Sequence, residues 1–395
     1  MNEIVGGAYP QLSLTTSAMG INMMDSSAAS SLAMGLGGGV GGLGGLGGLS
    51  GLGGGGNSFS LMQTSFSLNQ VLFDGFRTKD GLALASLGRD SADLDIYNAQ
   101  QAVLSDTANA YLTTLRMEGL LEVSRTALKA AQGHLDQAND RQKAGVGTRF
   151  EVLQSQTQIA NVKGQVSKAR NAAEMSRLFL FNTINVPPRV ARLETAPELP
   201  EVRFDAKKIE PAVNNRPEMR QLSLKRDVDL RTIDLNTRAY LPTVAAIGSY
   251  SMQGAGTGRY WLAGVSAQWN ILDGGKTKSK IAQSQSDVAR DDALLEQTRS
   301  RLALDVQKSI QDRDEARERL TIADEGLAFA RESFRLSEVR YRSGVGTGLE
   351  VIDSQSALTQ AEQNRIGAFY DLQTAELKFA RSLGIDLRDY LRGTK

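Results

Sequence analysis

The sequence contains one unit twice, and this duplication limits the possible folds more than any other feature. The stretch RQKAGVGTRFEVLQSQ at 141–156 returns as RYRSGVGTGLEVIDSQ at 340–355, with nine of sixteen positions identical and a constant separation of 199 residues. The segments VLFDGFRT at 71–78 and NILDGGKT at 270–277 align at the same separation. An alignment of this length without a gap indicates a duplicated structural unit.

Proline positions and heptads predict very long helices. The eight prolines lie at 10, 187, 188, 197, 200, 211, 217 and 242, so residues 80–186 and 243–395 contain none. Stretches this long without proline permit long helices. Large apolar residues recur every seven positions, as in a coiled-coil seam: Leu121, Leu128 and Leu135 in the first copy, and Leu320, Leu327, Phe334 and Tyr341 in the second. A helix from about Lys278 to Arg342 would span about 95 Å, and a second helix runs back after each GVGT turn.

The alignment divides the chain into two repeats and a connector. Each repeat is predicted to hold a strand pair followed by a helical hairpin, and the Gly-rich stretch 35–56 reads as a flexible insertion in the loop of the first strand pair. The predicted boundaries are a first repeat at 1–186 (strands 8–20 and 58–72, hairpin 80–185), a Pro-rich connector at 187–216, and a second repeat at 217–395 (helix 217–238, strands 240–252 and 260–271, hairpin 278–383).

The segment YWLAGVSAQWNI, at 260–271, alternates strictly between an apolar face and a face of small or polar residues. This pattern, with aromatic residues near both ends, is typical of a membrane-spanning β-strand of a barrel. The positions predicted to face lipid are Trp261, Val265, Trp269 and Ile271. Four strands per chain cannot close a barrel, and lipid does not tolerate an open sheet edge, so the chain must oligomerise.

Composition excludes several function classes. The chain has no cysteine and one histidine, His134, which excludes disulfides, thiol chemistry and a zinc site built from three His or Cys ligands. We therefore expect neither a metal nor a cofactor, and we interpret His134 as an ordinary residue of a helix surface. A net charge of +1 without any dense Lys/Arg block gives no indication of a nucleic-acid partner. The GGKT stretch at 274–277 lacks the first glycine of a phosphate-binding loop.

Helix termination and capping explain most residues of the repeated GVGT turn. Gly145 and Gly344 are predicted to end a helix in the left-handed conformation, and Gly147 and Gly346 to tighten the turn. Each turn then supplies a threonine N-cap with a glutamate three residues later, which is the capping-box pattern: Thr148 with Glu151, and Thr347 with Glu350. The two copies differ nearby, with Arg149 against Gly348 and Gln154 against Asp353.

A strand pair, a long helical hairpin with a VGT turn, a Pro-rich connector and the same arrangement again resemble the TolC-like outer-membrane efflux and secretion factors. The resemblance covers about Ala8 to Ile385. It implies a homotrimer, with a 12-stranded transmembrane β-barrel in outer-membrane lipid and a coiled-coil-like helical barrel in the periplasm. Such proteins are gated passive ducts of tripartite efflux or type I secretion systems, and they are not enzymes. Their partners are a periplasmic adaptor and an inner-membrane pump.

The resemblance also assigns roles to the turns. It places adaptor docking at Gly145, Val146, Gly147, Thr148, Gly344, Val345, Gly346 and Thr347, and a periplasmic gate at Glu151, Tyr341, Glu350 and Asp353. In a three-fold assembly Glu350 and Asp353 each become a ring of three carboxylates, which favours cations and resists closure by repulsion. The alternative is that these carboxylates only cap a helix and line a solvated face.

The N-terminus departs from the family pattern. The start MNEIVGGAYPQLSL has no basic n-region and no apolar h-region of a signal peptide, and no helix precedes the first strand. We expect that a signal peptide and an N-terminal helix are missing from the chain as written. Taken literally, this start and the helices would also suit a soluble periplasmic coiled-coil scaffold or adaptor, but the alternating strand at 260–271 favours the duct.

Overall fold

The computed structural model describes residues 6–7, 9–22, 58–187, 193, 199–200, 202, 209–253 and 258–393. The Gly-rich stretch 35–56 and most of the Pro-rich connector lie outside these residues. The chain forms two compact units: unit 1 consists of Met1–Asp90 with Leu224–Asp292, and unit 2 consists of Ser91–Ser223 with Ala293–Lys395. The strands belong to unit 1, and both GVGT turns belong to unit 2.

Unit 1 contains one antiparallel four-stranded sheet. Its strands are β1 (Gln11–Asn22), β2 (Ser58–Phe73), β3 (Thr243–Gln253) and β4 (Gly258–Gln268), in the order β1-β2-β3-β4. The sequence predicts the two strand pairs, and the structure adds the β2·β3 pairing that joins them, with Phe66 opposite Tyr250. Within the described residues, β1 and β4 are therefore the open edges of the sheet.

The last strand is shorter than predicted, because β4 ends at Gln268 and leaves Trp269 and Ile271 outside the sheet. Its partner strand begins at Thr243, directly after Pro242, and proline has no N–H to offer a neighbouring strand. Trp269 instead donates its indole Nε1–H to the carbonyl oxygen of Tyr240 at 2.9 Å. Trp261 and Val265 lie within β4 as predicted, and both are exposed.

The two faces of the sheet differ in chemistry. An apolar row crosses all four strands through Leu14, Phe66, Tyr250 and Trp261, which are register partners in that order. The opposite face carries hydroxyl rows across the first three strands: Ser13, Ser67 and Ser249, and beside them Thr15, Ser65 and Ser251. The Oγ atoms of Ser13 and Ser67 are 2.7 Å apart. One face of the sheet therefore suits a hydrocarbon solvent and the other suits water.

The helices form two hairpins, as the periodicity predicts. The helices are α1 (Arg77–Lys143), α2 (Arg149–Thr183), α3 (Ile209–Asn214), α4 (Pro217–Thr237), α5 (Lys276–Arg342), α6 (Gly348–Ser382) and α7 (Leu387–Arg392). Both long helices, α1 and α5, contain 67 residues, and an equivalent aspartate precedes each helix by three residues. Asp74 accepts the backbone N–H of Thr78 at 2.6 Å, and Asp273 accepts that of Thr277 at 2.8 Å. Across the described residues, no helix is both long and apolar enough to span a bilayer.

Away from the turns, the helices of unit 2 pack in the order α2, α1, α6, α5. Nearer the turns α2 also meets α6, where Gln158 Nε2 donates to Ser356 Oγ at 3.5 Å, and α1 meets α5. The first hairpin packs α1 on α2 through a core of Leu121, Val166 and Ala173. The contact between hairpins includes an ion pair from Arg116 on α1 to Asp371 on α6, at 2.9 Å. Burial patterns agree with this order, because α1 and α6 carry buried residues on more than one side, whereas α2 and α5 each bury a single stripe. The helices α2 and α5 are therefore the outer helices of unit 2.

Candidate functional site: the two hairpin turns

The backbones of the two turns are nearly identical, and each needs two glycines. Gly145 and Gly344 have φ values of 75° and 79°, in the left-handed region that side chains disfavour. A methyl group added at Gly147 would lie 2.9 Å from the Cβ of Arg141, and one added at Gly346 would lie 2.9 Å from the Cβ of Arg340. The predicted roles of these glycines in helix termination and turn tightening are confirmed.

The two N-caps differ in how they use the glutamate. At the first turn the capping box is complete: the Glu151 N–H donates to Thr148 Oγ1 at 3.3 Å, and the Thr148 N–H donates to Glu151 Oε2 at 3.4 Å. At the second turn the Glu350 N–H donates to Thr347 Oγ1 at 3.3 Å, but the Glu350 carboxylate lies 3.5 Å from Arg340 Nε. The equivalent glutamates therefore act differently: Glu151 completes a helix cap, and Glu350 forms an ion pair.

A contact between the two hairpins lies directly beside the turns. The Arg141 guanidinium lies over the Tyr341 ring, 4.7 Å from its centroid, and Arg141 Nη1 donates to the Tyr341 carbonyl oxygen at 3.3 Å. Tyr341 is buried. Burial raises the pKa of Tyr341, the charge of Glu151 raises it further, and Arg141 opposes both effects. At pH 7 the phenol is therefore neutral and able to donate a hydrogen bond.

Gly348 lies beside this contact. A methyl group there would lie 3.7 Å from Tyr341 Cε2 and 3.9 Å from Glu151 Cγ. The equivalent residue in the first copy is Arg149, so one of the sequence differences noted above marks the point where the hairpins meet. Glu151 and Tyr341 of the predicted gate are thus brought together in one chain.

The other two predicted gate residues lie apart from this contact. Glu350 faces Arg340 of its own hairpin, and Asp353 is exposed on α6. Sequence reasoning did not select Arg141 or Arg340 as site residues. The signal was present, because arginine is the first identical letter of the duplicated stretch at 141 and 340.

Both turns display apolar side chains to solvent. Val146 and Val345 are 67% and 73% exposed, and the next apolar residues, Phe150 and Leu349, are also exposed. These four residues, which we call the tip residues, occupy equivalent positions in the two copies. Exposed apolar groups clustered at a rigid turn are typical of a protein-binding surface.

A polar cavity of about 270 Å³ lies between α1, α2 and α6 near the turns. Gln158, Gln355 and His134 contribute to its wall. The interpretation of His134 as a surface residue is wrong: it is half-buried, and its ring meets that of Phe334 edge to face at a centroid distance of 6.0 Å. Packing of α1 against α5 covers the ring, and this burial lowers the pKa of His134. Among the residues that the structure describes, no three His, Asp or Glu side chains gather in a way that could hold a metal ion.

Comparison with known proteins covers most of the chain. The family model described as outer membrane efflux protein matches residues 7–185 and 209–385, one segment for each repeat. The outer membrane efflux protein BepC of Brucella suis is 23% identical over 340 residues, which cover 82% of this chain and 74% of BepC. The outer membrane protein TolC of Escherichia coli K12 is 24% identical over 349 residues, which cover 81% of this chain and 69% of TolC.

Solved structures show the same fold. A structure of CusC has a TM-score of 0.79 at 13% identity and covers 97% of this chain and 85% of its own. The outer membrane protein VceC from Vibrio cholerae has a TM-score of 0.73 at 14% identity, covering 98% of this chain and 89% of its own. Long helical hairpins with a small antiparallel sheet are thus common to this chain and to both neighbours.

Proposed function

The chain belongs to the outer membrane efflux protein family, and on this premise we propose that three copies form a gated duct across the outer membrane and into the periplasm. A soluble periplasmic scaffold is set aside because members of this family are outer-membrane efflux proteins. In this proposal the duct has no catalytic role, and a separate inner-membrane pump drives export through a periplasmic adaptor.

The chemistry of the sheet supports the trimer. The sheet has open edges at β1 and β4, an apolar face and a hydroxyl face. Pairing β4 of one copy with β1 of the next would satisfy both edges, and three copies would close a barrel of about twelve strands. The apolar row through Phe66 and Trp261 would then face lipid, and the serine rows would face the lumen.

The tip residues support adaptor docking at the turns. Val146 and Val345 project from backbones that glycine geometry fixes, so each turn offers an apolar contact at a defined place. We expect Val146→Asp with Val345→Asp to abolish co-purification of the adaptor, because a charge at each contact cannot be buried without a partner. The double variant should still form trimers, and Lys143→Ala, at an exposed neighbouring site, should leave co-purification unchanged.

The single observation that carries the gating proposal is the contact of Arg141 with Tyr341 between the two hairpins. Separation of the hairpins at their tips must break this contact, which makes it a restraint on opening. In a trimer, Glu350 and Asp353 would add acidic rings to the same end of the duct, and Arg340 would partly neutralise the Glu350 ring.

Conductance of the purified protein in planar bilayers tests the gate. The unmodified duct should conduct weakly, and Arg141→Ala and Tyr341→Ala should raise single-channel conductance severalfold. Arg125→Ala is the matched control, because Arg125 is an exposed α1 arginine that pairs only locally with Glu122 in the ion pairs seen here. Equal conductance in all four proteins would contradict a gate at this contact, and a monomer without channels would contradict the duct.

A further inference from the structure

The polar cavity near the turns lies between the two hairpins. Its walls come from α1 and α2 of the first hairpin and from α6 of the second, with Ala131, Val162 and Thr359 each contributing from a different helix. Its volume of about 270 Å³ is far larger than the roughly 15 Å³ that one water needs. It is slightly smaller than the pockets of about 300–1,000 Å³ that hold drug-sized ligands. The cavity therefore suits a molecule of the size of a single sugar ring.

The wall of this cavity is polar but carries no charge at neutral pH. Among the described residues, thirteen line the cavity, and none of them is Asp, Glu, Lys or Arg. His134 is neutral there, because burial lowers its pKa, and the charged residues that act on it, Glu338 and Arg342 on α5, pair with each other at 3.5 Å. A charged solute would therefore meet no counter-charge in the wall. An apolar solute would cover polar groups without giving them hydrogen bonds.

Two buried atoms of the wall residues have no hydrogen-bond partner within the protein, His134 Nδ1 and Gln355 Oε1. Gln355 donates its Nε2 to Thr359 Oγ1 at 3.3 Å, which leaves its carbonyl oxygen as an acceptor. An unpaired buried acceptor is unfavourable, so a molecule that brings a donor to it gains binding energy. A neutral imidazole nitrogen either donates or accepts, depending on the tautomer, and a hydroxyl group can satisfy it in both cases.

Glutamine amides give the wall its ligand preference. Each amide presents an acceptor oxygen beside a donor NH₂ group, so one amide can bind two neighbouring hydroxyl groups, accepting from one and donating to the other. Several such amides around one space favour a molecule that carries several hydroxyl groups. Five of the thirteen wall residues are glutamines: Gln158, Gln165, Gln355, Gln360 and Gln363.

The position of the cavity would let one small molecule join both hairpins. Gln158 Nε2 on α2 donates to Ser356 Oγ on α6 at 3.5 Å, so the hairpins meet here through a long polar contact. A molecule bonded to His134 on α1 and to Gln355 on α6 would add a second connection between them.

We propose that this cavity binds a small neutral molecule with several hydroxyl groups, a free monosaccharide or cyclitol, and that the bound molecule holds the two hairpins together. The binding site is a property of the folded chain, whereas its effect on opening rests on the gate of the proposed function. Because the ligand contacts both hairpins only while they are together, its binding shifts the population towards the closed duct.

Saturation-transfer NMR on the purified protein in detergent tests the site. Glucose and myo-inositol should give saturable signals at millimolar concentrations. Glucuronate, which adds a charge, and cyclohexanol, which keeps one hydroxyl group, should each bind at least about fivefold more weakly. Equal binding of glucose and glucuronate would overturn the proposal.

A matched pair of variants tests the role of the amide. Gln355→Met keeps the length of the side chain but removes the amide, so it should weaken glucose binding about tenfold. Gln156→Met is the control and should leave binding unchanged, because Gln156 is the equivalent glutamine of the first copy and is exposed outside the cavity. Unchanged binding in Gln355→Met would overturn the site. If circular dichroism shows that this variant does not fold, Ser356→Leu, at an exposed position of the wall, should fill the cavity and abolish binding, and undiminished binding there would overturn the site equally.

Conductance separates the site from the proposed function. Glucose on both sides of a planar bilayer should lower the open probability of the duct and should have no such effect on Gln355→Met. Saturable binding without this effect would overturn the link to the gate and leave the site standing. A monomer without channels would contradict the duct, and glucose binding by that monomer would still support the site.

Discussion

The two hairpins carry the same interhelical ion pair with opposite polarity. In the first, Glu118 on α1 pairs with Arg177 on α2, and in the second, Arg317 on α5 pairs with Glu376 on α6. Glu118 and Arg317 are equivalent positions, as are Arg177 and Glu376, at the common separation of 199 residues. Exchanging helices between hairpins would place Glu118 beside Glu376 and Arg317 beside Arg177. The reversal therefore favours pairing within each hairpin over pairing between the copies.

The turns show a second divergence on a shared backbone. Both use the same glycines and the same threonine cap, but only Glu151 completes a capping box, whereas Glu350 faces Arg340. Arg141 reaches Tyr341 in the other hairpin, although Arg340, its equivalent, stays in its own. Duplicated units thus keep the residues that fix the backbone and diverge in the side chains that meet a neighbour.

The largest effects should come from the glycines that both turns share. Gly147→Leu and Gly346→Leu should each destabilise the folded protein by about 3 kcal/mol, because the new Cβ would clash with the preceding helix end. Thermal unfolding in detergent measures this. Gly133→Ala is the control, since a methyl group there meets no atom within 4 Å and helix propensity favours alanine. Markedly unequal losses of stability in Gly147→Leu and Gly346→Leu would show that the two turns are not equivalent.

The reversed ion pairs should differ in strength. Arg317→Ala should cost about 2 kcal/mol, because it removes a partner from Glu376, whose side chain is only 6% exposed. Arg177→Ala should cost about 0.5 kcal/mol, because Glu118 is 30% exposed and water replaces the arginine. Denaturant unfolding of both variants gives the comparison. Equal losses of unfolding free energy in the two variants would contradict the role of burial. As a further control, the double variant Glu118→Arg with Arg177→Glu should recover most of the stability that Arg177→Glu alone loses.

The two glutamates should differ in their effect on Tyr341. Glu151→Gln preserves a capping side chain and should change stability by less than about 0.5 kcal/mol, but it removes a charge that raises the pKa of Tyr341. The raised pKa means that stability falls as pH rises above the ordinary tyrosine value of 10.0. Alkaline titration against a Tyr341→Phe reference should show a lower pKa in Glu151→Gln and no change in Glu350→Gln. A shift in the second variant would place Glu350 near the phenol.

The smallest effect concerns His134, which has no histidine counterpart in the second copy. Burial lowers its pKa below the ordinary value of 6.5. The unfolded chain therefore takes up the proton first, and stability should decrease as pH falls through 6.5. Unfolding midpoints measured between about pH 7.5 and 5.5 should show this slope and lose part of it in His134→Gln. An identical slope in the variant would assign the pH dependence to other groups.

Much of this architecture could be predicted because hydrophobic periodicity, helix N-caps and turns depend on residues that are close together in the sequence. Heptads and proline positions predicted both hairpins, and the T-x-x-E pattern predicted both threonine caps. The end of β4 could not be predicted from its own alternation, because it depends on Pro242, the residue directly before the neighbouring strand β3. The contact of Arg141 with Tyr341 depends on how two hairpins pack, so the arginine shared by positions 141 and 340 marks the position without identifying its partner.

If the proposed trimer forms, the hydroxyl rows at Ser13, Ser67 and Ser249 have a consequence for what the duct transmits. A wall of serine is wet but uncharged, and each hydroxyl both donates and accepts hydrogen bonds, so it exchanges partners with passing solutes of either sign. Such a surface does not favour solutes of one charge over solutes of the other. In the proposed duct, discrimination by charge would then depend on the carboxylates Glu350 and Asp353 near the turns, and substituting them would alter ion preference without any change to the sheet.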